Sequence, residues 1–233
     1  MIRFSFILAA LACAGACFAQ PPHKVSLTYD ISYNGVVAAE LTEVLEHDGK
    51  SFTLSSEGRG KGIGALFYRG AAKRWCRGEV TGAGLQPLEY RDQRGDNPAT
   101  VARFDWVRKT LTQEHDGKNE TTDMVPPLQD RLSFLYNFAF QKSSELKPGA
   151  EIKVTLTDGK GLTQFHYHVA GREVLKTAAG ELETVHLVKQ RESKDDRGTE
   201  IWFASARDYL PVRMLLIEKD GVRIDQTLTR FGN

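Results

Sequence analysis

The residues in this chain whose types and spacing suit chemistry are few and scattered. His166 and His168 stand two apart in Thr163-Gln164-Phe165-His166-Tyr167-His168. On a strand that spacing puts both imidazoles on one face, an arrangement able to hold a metal ion. No third ligand accompanies them, because the other histidines are dispersed at His23, His47, His115 and His186. Polar positions on a solvated or lumen face are the preferred reading, and no metal is expected. Glu40 and Glu43 have the types of a general acid and base, but the sequence does not separate them from a solvated strand face. Gly58-Arg59-Gly60-Lys61-Gly62-Ile63-Gly64 invites comparison with a phosphate loop. It matches neither G-x-x-x-x-G-K-S/T nor a G-x-G-x-x-G set between strand and helix. A rim loop with an apolar tip at Ala65 to Tyr68, or a short lid segment, is expected there. The chain holds no G-x-S-x-G, H-E-x-x-H or C-x-x-C. No enzymatic activity and no cofactor is expected, although triads do assemble from distant positions.

Charge removes further classes. The 31 Lys and Arg residues stand against 30 Asp and Glu, so no basic field exists to attract nucleic acid. The first residues read as an export leader. Met1-Ile2-Arg3 is a short positive start, Phe4 to Phe18 is apolar and small, and cleavage is expected after Ala19. The domains are then a signal peptide at 1–19 and a single β-barrel-like domain at 20–233, periplasmic or secreted. Ala14-Gly15-Ala16-Cys17 also approximates a lipoprotein processing site, so a lipid anchor on Cys17 is the minor alternative. Leader removal leaves Cys76 as the one cysteine of the mature chain. No internal disulfide is then available, and Cys76 reads as a small partly buried residue beside Trp75.

The elements that must position these residues are mostly strands. Val25, Leu27, Tyr29, Ile31 and Tyr33 alternate with polar residues up to Asn34-Gly35, a strong hairpin signal. Asp-Gly pairs at 48–49, 116–117, 158–159 and 220–221 mark further corners. Thr100 to Gln113 alternates as one strand, and Asn119-Glu120-Thr121 fits a glycan acceptor whose plain reading is a turn. Val125 to Phe140 is the one convincing helical period, with Leu128, Leu132, Leu135, Tyr136 and Ala139 on one face. Pro126 and Pro127 suit its start, and Asp130 suits its first turn. The fold class is mainly all-β. We expect a large antiparallel open or half-closed barrel of about ten to twelve strands, with one main helix packed in or across it.

Several stretches resemble the bacterial exported family labelled domain of unknown function 3108. The carriers are Tyr29, Ile31, Tyr33 and Gly35; then Gln129, Asp130 and Ser133 after a proline. Gly171, Glu173, Thr177, Gly180 and Thr184 follow, and finally Ile201, Trp202, Pro211, Val212 and Arg213. Thr177-Ala178-Ala179-Gly180 departs from the pattern by lacking a proline before the glycine. The resemblance implies a fold similar to the periplasmic lipoprotein-carrier barrels, and it implies no activity. Fold analogy then suggests a lipid or other apolar ligand. Leu132, Phe134, Tyr136, Phe138 and Trp202 are the candidate cavity residues, with Arg213 expected to pair structurally with Asp130 or Glu173. The alternative is an envelope interaction or scaffold protein with a filled core, an envelope protein being the partner in that case. A hydrolase of envelope material, with His166 and His168 first to inspect, ranks third.

Overall fold

The computed structural model describes residues 21–62, 64–67, 70–141, 146–193 and 195–232. The leader, Cys13 and Cys17 lie outside the described residues. Among the described residues fifteen strands form one sheet. They are β1 (Lys24–Tyr33), β2 (Val36–His47), β3 (Ser51–Gly60), β4 (Ala72–Thr81), β5 (Gly84–Arg94), β6 (Thr100–Asp105), β7 (Thr110–His115), β8 (Lys118–Asp123), β9 (Leu128–Asp130), β10 (Glu151–Thr157), β11 (Leu162–Thr177), β12 (Gly180–Lys189), β13 (Gly198–Ala204), β14 (Leu210–Ile217) and β15 (Arg223–Gly232). The order runs from β8 back to β1, across to β15, then down to β9. Every described pairing is antiparallel except β9 with β10.

The hairpin corners stand where turn chemistry places them. Asn34 and Gly35 have φ of 49° and 84°, and Asp116 and Gly117 have 49° and 75°. That left-handed pair is what a two-residue hairpin turn needs, and Asn-Gly and Asp-Gly adopt it at least cost. The strand count exceeds the ten to twelve expected from the sequence. One cause is the Thr100 to Gln113 stretch, which folds back at Trp106 to Lys109. There Arg108 N–H donates to Asp105 Oδ1 at 2.8 Å and Lys109 takes φ 57°.

The expected helix is also corrected. Leu128–Asp130 is a strand, and the helix proper is five residues, α2 (Ser133–Asn137), every one buried. A four-residue helix, α1 (Gly64–Phe67), follows β3. Asp130 ends the strand before α2, so its carboxylate lies ahead of the helix and not within its first turn.

The sheet curls until its two ends approach. No backbone ladder joins β8 to β9 among the described residues, so side chains make the closure. Gln113 Nε2 on β7 donates to Thr157 Oγ1 on β10 at 3.0 Å. Thr100 Oγ1 on β6 donates to the Asp158 carbonyl at 3.2 Å. Gln129 Nε2 on β9 donates to the Leu85 carbonyl on β5 at 2.7 Å. Successive strands alternate direction, so the Asn34-Gly35 and Asp116-Gly117 turns share one end of the barrel, called here the upper mouth.

Cross-strand register layers the interior. Leu45, Leu54, Cys76, Tyr90, Ala102 and Gln113 face one another in turn across β2 to β7, and all are buried. Two residues nearer the upper mouth, on the same face, runs a polar row: Glu43, Ser56, Arg74, Asp92 and Thr100. Helix α2 descends past both rows. Phe138 meets Phe203 at 4.8 Å, Phe134 stacks on Tyr167 at 5.5 Å, and beyond the helix Phe140 meets His47 edge-on at 5.0 Å.

Candidate functional site

Three polar constellations stand out: the anchor of α2, a cleft at the upper mouth, and a cluster on the outer face of β11 to β15.

The anchor begins with an unpaired length of β5. Residues 84–88 extend beyond the β5–β6 ladder, which covers Glu89 to Asp92. Their outward backbone groups would be buried without partners. Side chains supply them: Leu85 N–H donates to Asn137 Oδ1 at 2.7 Å, the Leu85 carbonyl takes Gln129, and the Pro87 carbonyl takes Trp106 Nε1–H at 2.7 Å. Asp130, with no exposed surface, then holds the start of α2. Its Oδ1 accepts the N–H groups of Leu132 and Ser133, each at 2.8 Å. Its Oδ2 accepts the Cys76 thiol at 3.0 Å and lies 2.6 Å from Ser133 Oγ.

The protons around Asp130 can be counted. Gln129 donates its amide to Leu85, so its Oε1 must be an acceptor, and Ser133 Oγ lies 2.7 Å from it. Ser133 has one hydroxyl proton and two acceptors within reach. A neutral Asp130 resolves the conflict by donating from Oδ2 to Ser133 Oγ, which frees Ser133 to donate to Gln129. Burial pushes the Asp130 carboxyl upward, the same direction, against the lowering effect of its hydrogen bonds. Burial likewise pushes the Cys76 thiol well up. Cys76 is thus a fully buried core residue, where the sequence suggested a partly buried one.

Glu43 is the second buried acid. The sequence left it on a possible solvated face beside Glu40, but β2 points them in opposite directions. Glu40 is exposed, 3.8 Å from Lys61, whereas Glu43 is buried. Glu43 Oε1 accepts Ser56 O–H at 3.0 Å and Oε2 accepts Tyr136 O–H at 2.8 Å. Burial raises its carboxyl, while Tyr136, the Arg74 charge and Ser56 pull it down. One signal could have found it: Glu43 alternates with Leu41 and Leu45, so it must face inward with them. Neither buried acid has the solvent access that acid–base catalysis on a substrate requires.

The cleft is a cavity of about 450 Å³ lined by Asp92, Arg94, Asn97, Pro98, Thr100, Asp116, Gly117, Arg131, Asp158 and Lys160. These come from four turns distant in sequence, so no spacing marks the set. Arg131 pairs with Asp158 and Lys160 with Asp116, each at 3.2 Å. Arg74 and Arg94 approach Asp92 Oδ2 at 3.5 and 3.6 Å. Asp92 Oδ1 is buried without a hydrogen-bond partner among the described residues, as is the Tyr90 hydroxyl two residues away on the same face.

The five candidate cavity residues line neither this cleft nor the shallower one beside His23 and His47. Leu132, Phe134, Tyr136 and Phe138 lie in the packed interior. Trp202 is separated from them. On β13 it is Phe203 that meets Phe138, so its neighbour Trp202 faces outward by strand alternation. There Trp202 stacks on His186 at 4.2 Å, sits under the Arg213 guanidinium at 4.5 Å and donates its indole N–H to Glu173. Arg213 was expected to pair with Asp130 or Glu173. It instead pairs bidentately with Asp225 on the adjoining β15, at 3.0 and 2.5 Å. Asp130 is on the inner face and out of its reach. His166 and His168 also face outward, alternating with buried Tyr167 and Val169. Among the described residues no group of three or more His, Cys, Asp or Glu is placed to hold a metal ion.

Other family-patterned residues fall into structural roles. Tyr29 O–H donates to the Pro211 carbonyl at 2.8 Å. Thr177 Oγ1 and Gly180 close the β11–β12 hairpin, and Thr184 Oγ1 donates to the Glu173 carbonyl at 2.9 Å.

Comparison with known proteins agrees with this architecture. No curated protein matches the chain. Among solved structures, a beta-barrel-like protein of domain of unknown function DUF1849 from Brucella abortus aligns with a TM-score of 0.54 at 8% identity, covering 91% of this chain and 98% of that one. A protein from Bacteroides fragilis described as exported, with a YmcC-like fold, aligns at 0.42 and 11% identity over 93% and 98% of the two chains. The first likeness shows a barrel-like fold. The model of the family described as Protein of unknown function (DUF3108) matches residues 28–229, nearly the whole of the described barrel, and the chain belongs to that family.

Proposed function

We propose that this is an exported, non-enzymatic protein of the cell envelope that works through contacts at its surface, its barrel being filled by its own chain. The observation that carries the reading is α2. Of the four inward candidates meant for a ligand cavity, Phe134 packs against Tyr167 and Phe138 against Phe203, and Leu132 and Tyr136 are buried beside them, while Asp130 and Glu43 anchor the segment from both sides. What remains open to partners is on the outside. Among the described residues strand β8 is a free sheet edge, exposed at all six positions, and an unpaired edge is a template for another chain. The β1–β2 rim adds exposed Tyr33, Val36 and Val37. Export rests on the leader read in the sequence.

A second reading keeps a lipid or other apolar ligand in the barrel. It draws on the fact that side chains, not a backbone ladder, hold the β9–α2 segment against β5. In that reading the segment swings out and the ligand takes the place of Leu132, Phe134, Tyr136 and Phe138.

One experiment separates the two. The protein is purified from its own envelope, weighed by native mass spectrometry, extracted with organic solvent and titrated with the apolar fluorophore N-phenyl-1-naphthylamine. Surface action predicts a bare polypeptide mass and no fluorophore uptake. It also predicts a discrete adduct when a photo-crosslinking residue replaces Thr121 on β8 and none when it replaces Val107. A stoichiometric lipid, lost in a folded Phe138→Asp variant, would overturn it in favour of the carrier.

A further inference from the structure

We propose that the cleft at the upper mouth is a binding site for a neutral polyhydroxylated ligand, a saccharide. The inference is independent of whether the barrel below carries a lipid.

Place and size come first. The mouth of a barrel is a recurrent ligand position, and about 450 Å³ falls within the range of small-molecule sites. The lining is the second point. Three cations, Arg94, Arg131 and Lys160, stand against three carboxylates, Asp92, Asp116 and Asp158, and each cation already has a carboxylate within 3.6 Å. A cleft whose lining charges are matched one to one offers little field to concentrate an ion, and an ionic ligand would have to break existing pairs to enter. A hydroxyl group differs, since it donates to a carboxylate and accepts from a guanidinium at once. It can be inserted between paired charges without uncoupling them. Several hydroxyls on adjacent carbons are what a lining of alternating sign can address together.

The third point is unused bonding capacity. Among the described residues the buried carboxylate oxygen Asp92 Oδ1 has no donor, and the Tyr90 hydroxyl beneath it has no partner. Buried polar atoms are nearly always satisfied, so each such atom needs an explanation. Tyr90 and Asp92 alternate on one face of β5, and Arg74 stands directly opposite Asp92 on β4. The floor of the cleft is therefore held by the sheet itself while the wall groups Asn97, Asp116 and Lys160 sit on turns. Asn97 adds an amide that can both donate and accept. A rigid floor with unspent bonding capacity just beneath its surface, under adjustable polar walls, suits a ligand rich in hydroxyl groups.

The test is amide chemical-shift mapping of the isotope-labelled mature chain with maltose and N-acetylglucosamine as probes, and with glycylglycine and sodium acetate as charged probes. The proposal predicts saturable shifts at Asp92, Asn97, Thr100, Gly117 and Lys160 with either sugar, with a Kd of about 1–10 mM. Lys160→Ala changes an exposed residue and serves as a variant that folds. It and Asp92→Asn should each weaken binding by about fivefold or more. Dextran distinguishes the source: tighter binding than maltose indicates a polysaccharide chain, equal binding a free sugar. Flat shifts with both sugars at about 50 mM would overturn the proposal. So would cleft shifts produced by glycylglycine or acetate alone.

Discussion

Removing the Asp130 carboxyl tests the central structural argument, that one buried acid starts α2 and thereby fills the barrel. In Asp130→Ala the N–H groups of Leu132 and Ser133 lose their acceptor, and both residues are buried. Each buried donor left unsatisfied costs about 1–3 kcal/mol. Ser133 keeps Gln129 as a partner, so its hydroxyl adds little, and the Cys76 thiol loses only a weak bond. The expected loss is therefore about 3–4 kcal/mol. For a chain of this size that is a fall in Tm of roughly 10 °C. Asp130→Asn is the decisive companion. Its Oδ1 still accepts both backbone N–H groups, and its amide donates to Ser133 Oγ as the neutral carboxyl does. Its cost should be below about 1 kcal/mol. Urea denaturation followed by tryptophan fluorescence reads both variants. If Asn costs as much as Ala, the charge and not the hydrogen-bond geometry holds the helix, and the proton assignment is wrong. If Ala costs less than about 1 kcal/mol, Asp130 does not anchor α2 at all.

Four other expectations follow from the same geometry. The carboxyls of Asp130 and Glu43 are raised above 3.8 and 4.5, so between those values and the raised ones the folded chain binds more protons than the unfolded chain. Stability contributed by these groups is present below that window and falls as pH rises through it; denaturation of the Asp130→Asn/Glu43→Gln double variant should show a flatter pH dependence there. Tyr136→Phe removes the donor to buried Glu43 Oε2 and should cost about 1–3 kcal/mol, with a further rise of the Glu43 carboxyl measured by NMR titration. Gly84→Ala should destabilise by about 2 kcal/mol or more: Gly84 has φ +114° and its Cβ would lie 2.3 Å from Asn137 Oδ1, a loss readable as a lowered urea midpoint. Cys76 in the mature chain should resist Ellman's reagent while folded and react at once in guanidinium; rapid labelling of the native protein would contradict its burial and raised thiol.

Residue types along the chain determined the strand-rich architecture, because alternation and left-handed Asx-Gly corners are local properties that survive without tertiary context. Asn34-Gly35 and Asp116-Gly117 turn where they were read. The inward position of Glu43 was legible too, between Leu41 and Leu45, once alternation was allowed to override polarity. The helical period from Val125 to Phe140 overstated α2. Its apolar residues repeat because nearly everything in the barrel interior is apolar, and Leu128 to Asp130 were drawn into a parallel pairing with β10 that no local signal announces. Trp202 carried the right composition for a cavity but the wrong parity, since one residue of shift on a strand exchanges inside for outside. The cleft was invisible for a different reason. Asp92, Asp116, Arg131 and Asp158 meet because the curled sheet brings its two ends together and side chains close them, and proximity of that kind belongs to the closure of the sheet and not to any stretch of sequence.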